Sequence, residues 1–510
     1  MTLGGWCLCL LSLTFVSPEW SVSGPGLTPD KVILPCRYFF ITSSSPDEAE
    51  EVSKDDLEVS LMGRDDRGGL CRPHHELMKV TQGQFLVRYK LYYNCNDLDI
   101  SVKIRGRHIE ASPVTISGPS LSDSCHCPLE MSAWLDTCPA SPASSQMESD
   151  LARWIEAGVD MEEVVGEARR QFSEAGSQCW CHYAVEAGQV YRQCHGQHTG
   201  FRMFWDSVLG WLTRRARLPD LEIIVNLGDW PLAKLKGKLP VLPMVSWCGS
   251  GDTGDLLVPT YDLTESSLEC MGRQSLDILA ALGKNEIPWE EKTEKMFWRG
   301  RDSSRERLEL VRLGAENPDL IDAGITAFFF FRDEMSALGR TNHTLFFDFF
   351  DHKYQLCLDG TVAAYRLPYL LAGGSAVFKQ ESNYFEHFYK DLKPWQHFIP
   401  VKRDLSDILD QIKWAKDNDA EVRKIAENAR NYVIQNLLPD HVLCYYGSFL
   451  QKWSELMKNE VRIGPDMELV NFEKSVAGRF PPCACSQEQN DARAGSQADA
   501  RSEPTTKDEL

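Results

Sequence analysis

The sequence predicts a multidomain chain: an N-terminal β-sandwich, then a larger α/β region built on two sheets. Two observations predict it. Between Gly24 and Gly118 apolar residues alternate with period two between turn signals, the pattern of short half-buried strands. From Asp123 to Arg462 compact apolar runs alternate with helical patterns, which implies parallel sheets covered on both faces.

The chain opens with an apolar run from Cys7 to Val16. A membrane-spanning helix needs about 20 apolar residues, so this run is too short and reads as a signal-peptide core. The signal is expected within residues 1–23, with Ser17, Ser21 and Ser23 as candidate cleavage points. No later segment is long and apolar enough for membrane insertion. The other end closes on Lys507-Asp508-Glu509-Leu510, a retrieval address read by the KDEL receptor. Together the ends predict residence in the lumen of the endoplasmic reticulum. The stretch from Ser486 to Thr506 lacks aromatic and large aliphatic residues, so residues 466–510 are expected to form a flexible tail.

In residues 24–120 the alternating sets are Leu57, Val59, Leu61, then Phe85, Val87, Tyr89, Leu91, Tyr93, then Val102 and Ile104. In residues 121–465 strands are expected over Leu221 to Val225, Pro240 to Trp247, Lys295 to Trp298 and Ser375 to Lys379. The clearest helix carries Leu405, Ile408, Leu409, Ile412 and Ala415 on one face. A formal charge of −20 argues against a nucleic-acid partner, which needs a basic face.

Of seventeen cysteines, Cys7 and Cys9 fall in the signal, leaving an odd number in an oxidising compartment. The pairs Cys125/Cys127, Cys179/Cys181 and Cys483/Cys485 are spaced C-x-C, and disulfides are expected ahead of a zinc site, with at least one thiol over. Asn342-His343-Thr344 is an N-glycosylation sequon and predicts a surface loop at Asn342.

Ligands in doubly wound sheets sit beyond the carboxyl ends of the strands. Asp229 follows an apolar strand and is placed to take a proton from a hydroxyl nucleophile, although the residues alone favour a turn aspartate. The segment Arg299 to Arg307 runs from a strand end into a helix opening near Ser303 or Ser304. Guanidinium groups and helix N-termini both bind phosphate oxygens, although a solvated helix start would look the same. In Gly360-Thr361-Val362-Ala363-Ala364-Tyr365-Arg366-Leu367 small residues permit close approach of a ligand, Tyr365 offers a ring to stack on a base and Arg366 a charge for a diphosphate. The alternative is a helix start packed on its sheet. Glu386 is a candidate acceptor for ribose hydroxyls or the one exposed acid of a buried helix.

Two resemblances run along the chain. Gly24-Pro25-Gly26-Leu27, Gly83-Gln84-Phe85-Leu86-Val87-Arg88-Tyr89 and Ala111-Ser112-Pro113 resemble a filamin-type, immunoglobulin-like repeat. Asn226-Leu227-Gly228-Asp229-Trp230-Pro231, Trp298-Arg299-Gly300-Arg301-Asp302-Ser303, Gly360 to Arg366, and Leu392-Lys393-Pro394-Trp395-Gln396-His397-Phe398-Ile399-Pro400-Val401 resemble, in order, the CAP10-type glycosyltransferases of family 90. A filamin-like repeat ahead and a KDEL end behind narrow the resemblance to the KDEL-bearing protein O-glucosyltransferases. It implies a GT-B fold of two Rossmann-like halves, a UDP-glucose donor, and inverting transfer to a serine of folded EGF-like repeats such as those of Notch and fibrillins. By the same resemblance Asp229 is the base. Arg299, Arg301, Ser303, Arg307, Val362, Ala363, Ala364, Tyr365, Arg366, Leu367 and Glu386 serve the donor, and Trp230, Gly272 and Arg273 the acceptor. Where a relative reads Gly-Ser-Arg this chain reads Gly300-Arg301-Asp302, so Arg307 carries over more firmly than Arg301. No cofactor is expected. Asp-x-Asp occurs only at Asp97-Leu98-Asp99 and Asp417-Asn418-Asp419, neither at a strand end of the α/β region, so the reaction is expected to be metal-independent. The readings left beside this one are UDP-xylose as donor, or a luminal lectin or chaperone without turnover.

Overall fold

The computed structural model describes residues 20–45, 52–139, 145–174, 176, 178–271, 277–283, 287–472, 483 and 485. The N-terminal region is a sandwich of two antiparallel sheets. One is ordered Trp20–Ser23, Arg37–Ser43, Gln84–Tyr89, His75–Thr81; the other is centred on Leu57–Arg64 and Cys95–Ile104. Period-two alternation sends Phe39, Ile41, Phe85, Val87, Leu61, Ile100 and Val102 into the space between them. The Cys71–Cys95 disulfide closes one end. Two boundaries differ from expectation. The run of alternation expected to reach Tyr93 ends as a strand at Tyr89, and Tyr92 and Tyr93 are exposed. Trp20–Ser23, inside the stretch expected to be signal, forms an edge strand against Phe40–Ser43.

The first sheet of the sandwich is buried on both faces. The residues between those facing the sandwich core, Tyr38, Phe40, Met78 and Leu86, join the apolar cluster of the α/β region. Polar ties ring this contact: Arg88 with Asp277 at 2.9 Å, Arg430 donating to the Val80 carbonyl at 3.0 Å, and the Tyr38 hydroxyl donating to Asp440.

The α/β region holds two sheets. The first contains β1 (Trp180–Glu186), β2 (Gln189–His195), β3 (Leu221–Asn226), β4 (Met244–Ser246) and β5 (Leu256–Leu257), in the order 5-4-3-1-2. Strands β3, β4 and β5 are parallel, but β1 runs antiparallel to β3, so this sheet is mixed where a parallel one was expected. The hairpin β1–β2 lets the sheet grow past β3 without a crossover helix. Residues Pro240 to Trp247, expected to be one strand, contribute only Met244–Ser246.

The second sheet contains β6 (Thr293–Arg301), β7 (Ile321–Ala327), β8 (His352–Cys357), β9 (Ala376–Gln380) and β10 (Ile399–Val401). It is parallel throughout, in the order 7-6-8-9-10. The order reverses between β6 and β8, and the crevice at such a reversal is where open sheets of this kind bind ligands. The helix expected around Leu405 to Ala415 forms as Ile408–Asp417 and buries Ile408, Ile412 and Ala415 on this sheet.

The fold does not end at residue 465. Glu468–Leu469 pairs with β2, and Val470 is buried. Cys483 and Cys485 are bonded to Cys125 and Cys127. Cys138–Cys444 and Cys181–Cys194 complete the disulfides among the described residues; Cys179 stays free, as do Cys36, Cys248, Cys270 and Cys357.

Candidate functional site

A cavity of about 280 Å³ opens between the two sheets of the α/β region. On one side it is lined by Asp229, Tyr261 and Asp262; on the other by Ser303, Arg307 and the run Gly360 to Arg366. The first group follows β3 and β5, and the second follows β6 and β8, the two strands that flank the order reversal.

Asp229 stands on a loop held by its own neighbours. The Asn226 side chain donates to the Trp230 carbonyl at 2.7 Å and accepts the Gly228 N–H at 2.8 Å. Below it, buried Asp255 accepts the N–H groups of Leu232 and Ala233 at 2.8 and 2.9 Å and the Ser246 hydroxyl at 2.6 Å. The loop is therefore fixed by hydrogen bonds that leave the Asp229 carboxylate unused: among the described residues it accepts none. Burial pushes its carboxyl above the ordinary aspartate range. A carboxylate with free lone pairs and a raised pKa is equipped to take a proton from a hydroxyl near neutral pH.

The facing wall is cationic and already tied. Arg307, in the first turns of the helix Arg305–Glu316, donates to the carbonyls of Asp359 at 2.8 Å, Arg301 at 3.1 Å and Leu358 at 3.0 Å. A guanidinium has five N–H groups, so two remain for a ligand. Arg366 donates to the Arg299 carbonyl at 2.7 Å. Gly360 is what lets this wall close: a Cβ there would lie 2.8 Å from the Ser303 hydroxyl and 3.1 Å from Arg307 Nη2. Tyr365 joins the walls, its ring edge-on to Tyr261 and its hydroxyl 3.5 Å from the Asp229 carbonyl oxygen.

Of the residues singled out in the sequence, the cavity brings together Asp229, Ser303, Arg307, Val362, Ala363, Ala364, Tyr365 and Arg366. Others lie apart from it. Arg299 stacks over Phe297 and pairs with Asp322 at 2.7 Å on the second sheet. Arg301 is exposed over the Phe329 ring. Leu367 is buried at the start of the helix Leu367–Ala372. Glu386 sits neither on a helix nor on the cavity lining; it is fully buried beside Tyr389, and burial drives its carboxyl well above the usual range. Trp230 stands exposed at the rim, its ring edge-on to Tyr384. Asn342 lies on an exposed loop. Gly272, Arg273 and Lys507 to Leu510 lie outside the described residues.

Four residues carry roles that sequence reasoning did not assign. Asn226 and Asp255 hold the loop of Asp229, and Asp262 lines the cavity. Asp302, wholly buried, accepts the N–H groups of Phe329, Phe330 and Phe331 at 2.8, 2.9 and 2.7 Å, anchoring the loop after β7. The departure Gly300-Arg301-Asp302 gave the one available signal for Asp302.

Comparison with known proteins gives the family. The profile of Glycosyl transferase family 90 matches residues 133–499. Protein O-glucosyltransferase 2 of Danio rerio is 44% identical over 92% of this chain and 93% of its own length. Protein O-glucosyltransferase 3 of Homo sapiens is 40% identical over 89% of this chain and 90% of its own. Protein O-glucosyltransferase 1 of Homo sapiens is 29% identical over 55% of this chain and 73% of its own. Among solved structures, the Lin-41 filamin domain covers 19% of this chain at 13% identity with a TM-score of 0.16.

Proposed function

The chain belongs to glycosyl transferase family 90, and we propose that it is an inverting, UDP-glucose-dependent protein O-glucosyltransferase. Its acceptor is a serine of folded EGF-like repeats in secreted or membrane proteins of the Notch and fibrillin kind. The observation that carries the reading is one cavity with an unpaired carboxylate, Asp229, facing Arg307, Arg366 and Ser303.

The chemistry follows from that arrangement. The serine oxygen attacks the anomeric carbon of glucose from the side of Asp229, which takes the hydroxyl proton. The bond from that carbon to the diphosphate breaks on the opposite face, and its electron pair leaves with UDP. One displacement inverts the centre. Arg307, Arg366 and the N-terminus of the helix Arg305–Glu316 face the leaving diphosphate and stabilise its charge. With fixed cations at that point, the reaction needs no metal ion and no cofactor.

The sheet order 7-6-8-9-10, with the donor groups at its reversal, supports a GT-B arrangement in which the second sheet holds the nucleotide and the first the base. The five disulfides among the described residues suit the oxidising lumen of the endoplasmic reticulum, with Lys507 to Leu510 as the address for the KDEL receptor.

The test is direct. Purified protein is incubated with UDP-glucose and a folded EGF-like repeat. The expected product is heavier by one hexose, on a serine, in the β configuration. Absence of hexose on the repeat with any nucleotide sugar, while UDP still binds, would leave a lectin or chaperone instead.

A further inference from the structure

The cavity contains a second carboxylate that the transfer step does not use. Asp262 lies in the first turn of the helix Tyr261–Leu268 and lines the cavity on the same wall as Asp229. Its backbone is fixed, since its carbonyl accepts the hydroxyl of buried Tyr369 at 2.8 Å. Its side-chain oxygens accept no hydrogen bond from any described residue. A first helical turn favours an acidic residue for electrostatic reasons. That accounts for the residue type there, not for a carboxylate that faces a cavity without a donor. Asp262 is half-buried, so its carboxylate keeps acceptor positions open towards the cavity. Burial and the neighbouring Asp229 push this carboxyl up to about 7, against the opposing charge of Arg366.

The charge around the cavity says what kind of partner fits. Asp229 and Asp262 make one wall anionic, while the phosphate-binding groups Arg307 and Arg366 lie on the other. A diphosphate is repelled by the first wall and held by the second. What remains for the first wall is an uncharged group rich in hydroxyls, held with its reacting carbon beside Asp229.

We propose that Asp262 reads the sugar of the donor: its carboxylate accepts hydrogen bonds from hydroxyl groups of the hexose, so that the pocket distinguishes a nucleotide sugar from the bare nucleotide. This rests on the reading of the cavity as a UDP-glucose site. Asp262 thereby orients the ring for displacement, while Asp229 alone exchanges the proton.

The experiment measures UDP and UDP-glucose binding by calorimetry in the full-length wild type and in Asp262→Asn and Asp262→Ala, with melting curves on the same preparations. Wild type is expected to bind UDP-glucose more tightly than UDP. Both variants should lose about 10- to 100-fold in UDP-glucose affinity, the loss expected for hydrogen bonds to a charged acceptor. Their UDP affinity should stay within about twofold. In transfer assays the same variants should show a raised KM for UDP-glucose and an acid limb of kcat still set by Asp229. Unchanged UDP-glucose affinity in a folded variant overturns the role of Asp262 alone. Equal losses for UDP and UDP-glucose overturn it too, since they mean collapse of the pocket. Wild type that binds neither ligand overturns the donor-site reading itself.

Discussion

Of the two walls of the cavity, one carries the exposed Asp229 and the half-buried Asp262 and the other the buried Arg307, and they are prepared in opposite ways. On the second sheet each guanidinium is committed before any ligand arrives. Arg307 spans three backbone carbonyls and Arg366 one. Beyond the first sheet the Asp229 and Asp262 carboxylates accept nothing from the described residues, and their backbones are held by other residues. Burial acts on both, pulling the Arg307 guanidinium down to about 9 and pushing the two carboxyls up. The arginine remains charged at neutral pH, while Asp262, pushed up to about 7, sits close to a change of state. In the proposed reaction the cationic wall is thus a finished scaffold for the diphosphate, and the anionic wall is completed by the donors of the substrates.

The largest test of that division is Asp229→Asn. Asparagine keeps the shape of the loop and removes the proton acceptor, so transfer should fall about 10²-fold or more. UDP affinity should not change, because the opposite wall is intact. A folded, UDP-binding variant with near-normal transfer would remove Asp229 from the chemistry.

Next come the arginines. Arg307→Ala and Arg366→Ala should each weaken UDP by about 10- to 100-fold in calorimetry. They should differ in stability. Arg307→Ala orphans three carbonyls and should lower the melting temperature clearly, whereas Arg366→Ala gives up one such bond. Equal melting temperatures would mean that the scaffold does not depend on Arg307.

A smaller, graded effect is expected from pH. A base works only when deprotonated, and burial raises the folded-state value for Asp229. Transfer should therefore decline as pH falls through a value above the ordinary aspartate range, while UDP affinity stays flat over the same interval. If both fall together, protonation acts on the donor wall and the contrast between the walls fails. At the far end of the scale, excess EDTA should leave the rate nearly unchanged; loss of turnover restored by Mn²⁺ would show that arginine alone does not neutralise the leaving diphosphate.

What could be read beforehand follows the reach of each signal. Period-two alternation in the sandwich and the strand Leu221 to Val225 are local patterns, and both formed close to where they were expected. The run Val362 to Arg366 stood out as small residues followed by an aromatic and a cation, a pattern that a helix start packed on its sheet shares, and the fold brings it to the cavity wall. Hidden from the sequence were partnerships over distance. Nothing local says that the carboxylate of Asp255 ends beneath the loop of Asp229, or that Arg299 points at Asp322 rather than at a ligand. Tyr38 and Leu86 looked like ordinary strand residues because alternation reports which face a side chain takes, not whether that face meets water or another domain.

The bonds Cys125–Cys483 and Cys127–Cys485 span 358 residues each and join the segment leading out of the sandwich to one that follows the whole α/β region. A polypeptide emerges from the ribosome N-terminus first, so Cys125 and Cys127 cannot form these bonds until Cys483 and Cys485 have been made. Closure of this double seam therefore certifies that the intervening catalytic region has been made. A chain terminated early would keep two thiols, one residue apart, near the domain junction, groups open to thiol–disulfide exchange. The finished molecule is in effect a covalent ring from Cys125 to Cys483, and a single proteolytic cut within that span would nick it without releasing either half.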